Sequence, residues 1–187
     1  MGKIQIKTLE IAGLRSVLEA LRLPYGKECR SKTNAEFNID KSGLIVSGNF
    51  CCAISPKDLQ LLSTLVKRGD EHSKVIRSMM VWVEITAPVW FYRELETYRI
   101  GRERLASTST MHIECKGLQG EELEKAKDEI PMGHIQKTVD MFSYQTLRRI
   151  YFQRRNHRLP MWHDFCSWIS SLPFADTLIT VEHGETR

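Results

Sequence analysis

The sequence has few of the marks that assign a protein quickly. Its five cysteines, at positions 29, 51, 52, 115 and 166, are odd in number, and no two form a C-x-x-C pair. A disulfide scaffold is therefore not expected, and free thiols in a reducing compartment are. The six histidines (72, 112, 134, 157, 163, 183) are scattered, without the spacing of metal ligands. His163 and Asp164 are adjacent, and adjacent helical residues do not face each other. There is no apolar run long enough to span a bilayer and no signal-like apolar core at the start. Ile6 stands where N-myristoylation requires a hydroxyl. The expected location is the cytoplasm, with no membrane partner. G-x-S-x-G, Walker and G-x-G-x-x-G patterns are also missing, so the reactions they mark have no support here.

The chain has 187 residues, 42% of them hydrophobic and 27% charged. That fits a single domain, 1–187, with a sizeable core. The formal net charge of +4 suits an anionic partner without requiring nucleic acid.

Hydrophobic periodicity gives a mixed α/β reading. Residues 3–9 alternate as a strand. Residues 10–23 read as a helix with Leu14, Val17, Leu18 and Leu21 on one stripe, and Pro24 to Gly26 break it. LIVSG (44–48) reads as a short strand after a turn at 40–43, with Glu36 and Asp40 as surface charges. Ser55 and Pro56 are a good helix start, Asp58 suits the first turn, and Leu59, Leu62 and Val66 form its core face up to Gly69. A second helix is expected from Asp70 or Glu71, carrying His72 and Arg77. Residues 80–85 read as a strand. The next helix, opened by Pro88, sets Phe91, Leu95 and Tyr98 toward the core, with Trp90 and Tyr92 on another side. Gly101 is expected to interrupt that helix and admit a ligand. Residues 116–131 read as an exposed loop and a short solvent-facing helix. A long helix is expected from Met132 to Pro160, with Ile135, Val139 and Phe142 as its apolar stripe. A short packed helix around Trp162, Phe165, Trp168 and Ile169 follows.

Two arginine-rich regions carry the chemistry. Arg93, Arg99, Arg102 and Arg104 lie close together and are followed by Ser107, Thr108, Ser109 and Thr110. Arg148, Arg149, Arg154 and Arg155 form the second region. A guanidinium is a fixed fork of donors suited to phosphate or carboxylate, and hydroxyls and backbone N–H groups complete such sites. The alternatives for the first region are an anion site and a solvated basic helix end. Two basic clusters fit a nucleotide enzyme that folds both around one phosphate. They also fit a basic nucleic-acid-binding or assembly protein that uses both along a backbone. His72 with Arg77 reads either as a further ligand contact or as a helix-end histidine beside a surface arginine.

In order and spacing these regions resemble the flavin-dependent thymidylate synthase family, in a short, divergent, phage-like version. The family motif runs Arg-His-Arg, two residues, Ser, one residue, Asn-Glu. Here Arg102-Glu103-Arg104-Leu105-Ala106-Ser107 keeps the outer arginines and the serine, while Ser109-Thr110 replaces Asn-Glu. A second register sets Thr97-Tyr98-Arg99 against Arg-His-Arg. Leu147-Arg148, then Arg154, then Trp162 resemble the family's later segment, and Gly69 to Ser73 its glycine–histidine segment. The resemblance spans roughly residues 50–170. It implies a mixed α/β domain with a central antiparallel-containing sheet flanked by long helices, assembled as a homotetramer with sites between subunits. It implies FAD as cofactor and dUMP, methylenetetrahydrofolate and NADPH as partners, in reductive methylation of dUMP to dTMP. It also implies substrate-binding roles for Arg99, Arg102, Arg104, Ser107, Ser109, Arg148 and Arg154, with Ser107 and Arg154 catalytic. Cofactor-binding roles fall to His72, Arg77, Arg102 and Arg104. The departures at Glu103 and Ser109-Thr110 leave a second reading open, a catalytically altered relative acting on another pyrimidine nucleotide. No cysteine nucleophile is needed for the flavin chemistry.

Overall fold

The computed structural model describes residues 4–27, 32–39, 45–69 and 71–182, with the backbone alone for 32–39 and 45–53. Asp40, the 40–43 turn, Asp70 and the side chain of Glu36 lie outside the described residues. β1 (Gln5–Ala12) leads through Gly13 into α1 (Leu14–Leu21), and β2 (Lys32–Ile39) pairs antiparallel with β3 (Ile45–Ala53). α2 (Pro56–Lys67), a 3-10 turn at Ser73–Arg77, β4 (Met80–Pro88), α3 (Val89–Leu95) and β5 (Arg102–Ser107) come next. The chain ends with α4 (Gly120–Asp128), β6 (Ile135–Ser143), α5 (Tyr144–Arg154), α6 (Pro160–Ser170) and α7 (Ala175–Leu178).

The main sheet has the order β1-β4-β6-β5, and every neighbouring pair is antiparallel. β4 buries alternate side chains, Val81, Val83, Ile85 and Ala87, as a half-covered strand should. These join α1, α2, α3 and α5 to α7 in one hydrophobic cluster that includes Leu18, Leu62, Phe91, Leu147, Trp162 and Ile169. Each such side chain contributes about 1.5–3 kcal/mol by leaving water.

Several helix ends follow the sequence chemistry. Ser55 caps α2 by accepting from the Asp58 N–H at 3.2 Å. The α1 stripe Leu14, Val17, Leu18 and Leu21 is buried as expected. The strand before it runs on to Ala12, however, so the helix starts later than position 10. Gly13 makes that turn at φ +94°, where an added Cβ would stand 1.9 Å from the Ser78 carbonyl oxygen.

Four expectations are corrected. The helix expected from Met132 is a strand, β6, followed by α5. Ile135, Val139 and Phe142 are spaced like a helical stripe, but in β6 Thr138, Asp140 and Phe142 are the buried set. Two polar residues on the buried face concealed the two-residue period. Pro160 opens α6 rather than closing a long helix, which suits proline at a first helical position. The helices are also short: the longest among the described residues, α2, has 12 residues. The segment expected as a helix from residue 70 or 71 is the 3-10 turn.

Candidate functional site

α5 begins where β6 ends. Ser143 caps it, its Oγ accepting from the Thr146 N–H at 3.1 Å and lying 2.9 Å from Thr146 Oγ1. Thr146 Oγ1 donates to the Ile100 carbonyl at 2.6 Å, and the Ser143 N–H donates to the Gly101 carbonyl at 2.7 Å. The Ile100–Gly101 turn is thereby fastened to the first turn of α5. Gly101 has φ +74°, and a Cβ there would meet Thr146 Oγ1 at 2.4 Å and Ser143 Oγ at 2.6 Å. Its missing side chain admits the first turn of α5. A cleft of about 310 Å³ opens here, with Arg77, Gly101, Gln145, Thr146 and Arg149 on its wall. Arg77 Nε donates to Gln145 Oε1 at 2.5 Å. Two guanidiniums beside a helix N-terminus favour an anion.

The second arginine-lined region is built on β5, so of the first basic cluster Arg102 and Arg104 sit on an edge strand, while Arg93 is in the last turn of α3 and Arg99 in the connection between α3 and β5. Asp140 of β6 is fully buried, and its Oδ1 accepts from Arg102 Nε at 3.0 Å and Nη2 at 2.6 Å. Asp140 Oδ2 accepts from Thr138 Oγ1, and Arg102 Nη1 donates to the Leu95 carbonyl at 3.1 Å. Burial pulls the Arg102 guanidinium below its ordinary range, and Asp140 opposes that shift. Arg104 lies with Nε 3.6 Å from Asp140 Oδ1, gives Nη1 to Glu96 Oε1 at 3.0 Å, and covers the Tyr92 ring at 5.0 Å. Tyr92, placed by α3, is buried, and its single O–H is shared between the carbonyls of Ile85 (2.7 Å) and Gln136 (3.0 Å). Burial pushes its phenol up to about 12. One cleft of about 320 Å³ is lined by Glu96, Arg99, Arg102, Glu103 and Arg104. Another of about 580 Å³ is lined by Tyr92, Arg93, Glu96, Arg104 and Gln136. The two possible motif registers thus meet in space, because Arg99, Arg102 and Arg104 share one cleft.

The later arginines stand elsewhere. Arg148 is buried and donates Nη1 to the carbonyls of Ile179, at 2.7 Å, and Val181. Arg154 gives Nε to Tyr98 Oη at 2.9 Å and pairs with Glu94 at 3.3 Å, while the Trp162 indole N–H donates to the same Glu94 oxygen at 2.8 Å. Arg155 pairs with Glu182. Neither cleft beside β5 is lined by Arg148 or Arg154, so within one chain the two clusters do not converge on a single pocket. His72 is exposed just before the 3-10 turn. Ser107, exposed, pairs with Thr138 across the ladder, and Ser109 follows in the turn after β5, its carbonyl accepting from the N–H groups of His112 and Ile113.

Cys115 and Cys166 are buried free thiols, and burial pushes Cys166 up to about 11. His163 Nε2 lies 2.6 Å from the His157 carbonyl oxygen. Among the described residues no group of three His, Cys, Asp or Glu side chains could hold a metal ion. Among them also, no helix is long and apolar enough to cross a membrane. No motif in the sequence marks Asp140, Glu96 or Gln145 as site residues, and Arg149 is marked only as one of the second arginine region. A two-residue period through Thr138, Asp140 and Phe142 was the one available signal for Asp140.

This mixed α/β fold is shared with solved enzymes. A flavin-dependent thymidylate synthase from Helicobacter pylori, in complex with FAD and dUMP, superposes with a TM-score of 0.64 over 94% of this chain and 98% of its own, at 14% identity. A second structure of that enzyme with FAD and dUMP gives 0.65, covering 95% and 97%, at 13% identity. A UMP/dUMP methylase from Streptomyces cacaoi bound with 5-Br dUMP gives 0.62, covering 94% and 91%, at 11% identity. The resemblance read from the arginine motifs and the fold therefore point to the same architecture. No family model matches the sequence. No curated protein matches it.

Proposed function

We propose that the chain is a flavin-dependent pyrimidine-nucleotide methylating enzyme, converting dUMP to dTMP with methylenetetrahydrofolate and NADPH. The observation that carries this reading is the segment 99–104. It contributes Arg99, Arg102 and Arg104 to one cleft and Gly101 to the other, beside Arg77 and Arg149. Two cationic clefts along one segment suit two phosphate-bearing molecules. The fold is also one that holds FAD and dUMP in its solved relatives.

The residues fit a flavin cofactor. Arg77 and Arg149, beside the first turn of α5, suit its pyrophosphate. FAD, when bound, supplies the hydride of the reductive methylation. Arg99 and Arg104 hold the nucleotide phosphate in this reading, and Asp140 keeps Arg102 in place behind them. Guanidiniums so placed also offset charge that develops on the uracil carbonyl. Ser107, Ser109 and Arg154 line none of these clefts, and their proposed roles require a pocket completed by a neighbouring copy; Arg148, buried against the Ile179 and Val181 carbonyls, has a structural role in this reading. A homotetramer with sites between subunits meets that requirement.

The test is retention of flavin and release of the uracil C5 hydrogen. The purified protein should be yellow or become so with FAD, and should release tritium from labelled dUMP only with reductant and methylene donor. Arg77→Ala with Arg149→Ala should lower flavin occupancy without changing the melting temperature. Protein that takes up neither FAD nor dUMP refutes the proposal. A second reading, action on another pyrimidine nucleotide, follows from exposed Glu103 standing where the family motif has histidine. Tritium release from labelled UMP, but not from dUMP, would favour it.

A further inference from the structure

Arg104 carries more donor capacity than its surroundings use. Its Nε and Nη2 are buried and have no hydrogen-bond partner. The nearest buried carboxylate, Asp140, already takes two bonds from Arg102 and stands 3.6 Å from Arg104 Nε, too far for a good bond. The single acceptor on Arg104 is Glu96 Oε1, bound to Nη1 alone. Glu96 follows the last turn of α3, and its side chain is 52% exposed. Arg104 and Glu96 are also the two residues common to both clefts beside β5.

From this geometry we infer that Glu96 is a displaceable latch on a phosphate site. Its carboxylate holds Nη1 of Arg104 and stands on the wall of both clefts. A phosphate or pyrophosphate group displaces it, joins the clefts and takes the fork by two parallel bonds, which a carboxylate held by one oxygen does not do. The charges agree with this. Arg102, Arg104, Asp140 and Glu96 sum to zero, so moving Glu96 away leaves one positive charge at the fork. A half-exposed ion pair costs little to open, a factor of about five or less in an equilibrium constant. The latch therefore tunes affinity and selects against weakly charged ligands without closing the site. The inference rests on Arg104 facing a phosphate, as proposed above, but it does not depend on which molecule carries that phosphate.

The experiment is calorimetric titration of the full chain with inorganic pyrophosphate, and separately with dUMP. Four proteins are compared: wild type, Glu96→Gln, Glu96→Gln with Arg104→Gln, and Glu114→Gln as a control at a carboxylate that pairs with His134. Glu96→Gln should tighten pyrophosphate by up to about fivefold, since it removes the competing charge. The gain should vanish in the double variant, and Glu114→Gln should change nothing. If the double variant does not fold, Arg104→Lys in the Glu96→Gln background replaces it. That change keeps the charge without the fork and should retain less than half of the gain. Unchanged, weaker or undetectable pyrophosphate binding in Glu96→Gln overturns the inference. So does a gain that survives loss of the Arg104 fork, or one reproduced by Glu114→Gln. Pyrophosphate binding that behaves as expected while dUMP binds none of the proteins leaves the latch standing and removes the nucleotide proposal. Binding of dUMP with no effect of Glu96→Gln on pyrophosphate does the reverse.

Discussion

Arg148→Ala separates a structural arginine from a ligand-binding one. The family resemblance assigns Arg148 to the nucleotide, and on that assignment the variant keeps its stability and loses affinity. The structure leads to a different expectation. Arg148 is 3% exposed, gives two hydrogen bonds to the carbonyls of Ile179 and Val181, and lies with its guanidinium 4.7 Å from the centre of the Phe152 ring. Truncation leaves the carbonyl of buried Ile179 without this donor, at a cost of about 1–3 kcal/mol. The half-buried Val181 carbonyl can turn to water, so its bond adds less. Loss of the contact with Phe152 adds about 0.5–1 kcal/mol. The total is about 3 kcal/mol, or a fall in melting temperature of about 6–12 °C for a chain of this size. Urea denaturation followed by circular dichroism measures the first figure, and a thermal scan the second. Proteolysis should also begin nearer the end of the chain, where Arg148 fastens residues 179–181. A variant that melts within about two degrees of wild type and loses dUMP affinity would refute this reasoning and restore the ligand role.

Two further predictions follow from the same contacts. Gly101→Ala should cost about 1–3 kcal/mol, because its Cβ would stand 2.4 Å from Thr146 Oγ1 at φ +74°; denaturation checks the cost, and unchanged stability would show that the turn yields freely. Tyr92 has its phenol raised by burial from 10.0 to about 12. The folded state therefore holds the proton more tightly than the unfolded state, so this stabilisation is complete below pH 10 and is lost as pH rises toward 12. The loss is at most about 2–3 kcal/mol. Tyr92→Phe should weaken the fold at pH 8, through loss of the bonds to Ile85 and Gln136, yet flatten the alkaline decline. Urea midpoints at pH 8 and pH 11 test both parts.

What the sequence made legible was local and apolar. The Leu14, Val17, Leu18, Leu21 stripe, the Ser55–Pro56 helix start, the strand from Met80 and the solvent-facing α4 all stand where periodicity and capping put them. Long-range polar pairs were not legible. Asp58 reads as a first-turn charge favouring the helix dipole, but it is fully buried against Arg22 at 2.6 Å. Asp140 carries no local signal of a partner, and its place beside Arg102 and Arg104 depends on a register between β5 and β6 that local spacing does not encode. The misreading of Ile135 to Phe142 as a helix has the same origin. Once Thr138 and Asp140 are paired, a strand tolerates them on its buried face, and the period that would reveal the strand is lost to any scale that counts polar residues as exposed.

The arginines make a related point about inference from composition. A guanidinium has five donors, so it can hold the fold together and still offer an edge to a ligand. Arg102 spends Nε, Nη1 and Nη2 on Asp140 and Leu95, and Arg148 spends Nη1 on Ile179 and Val181. A count of arginines therefore overstates the number of ligand contacts. The informative residues are those whose structural bonds are few or easily exchanged, and Arg104, held by one oxygen of a half-exposed glutamate, is the clearest of them. The cationic clefts flank segment 99–104 for the same reason. The Asp140 pairing and the caps of α5 hold the backbone there while leaving guanidinium edges on its surface. Rigid support beneath and exchangeable contacts above are what an anion site needs, and the two arise from different residues of one short stretch of chain.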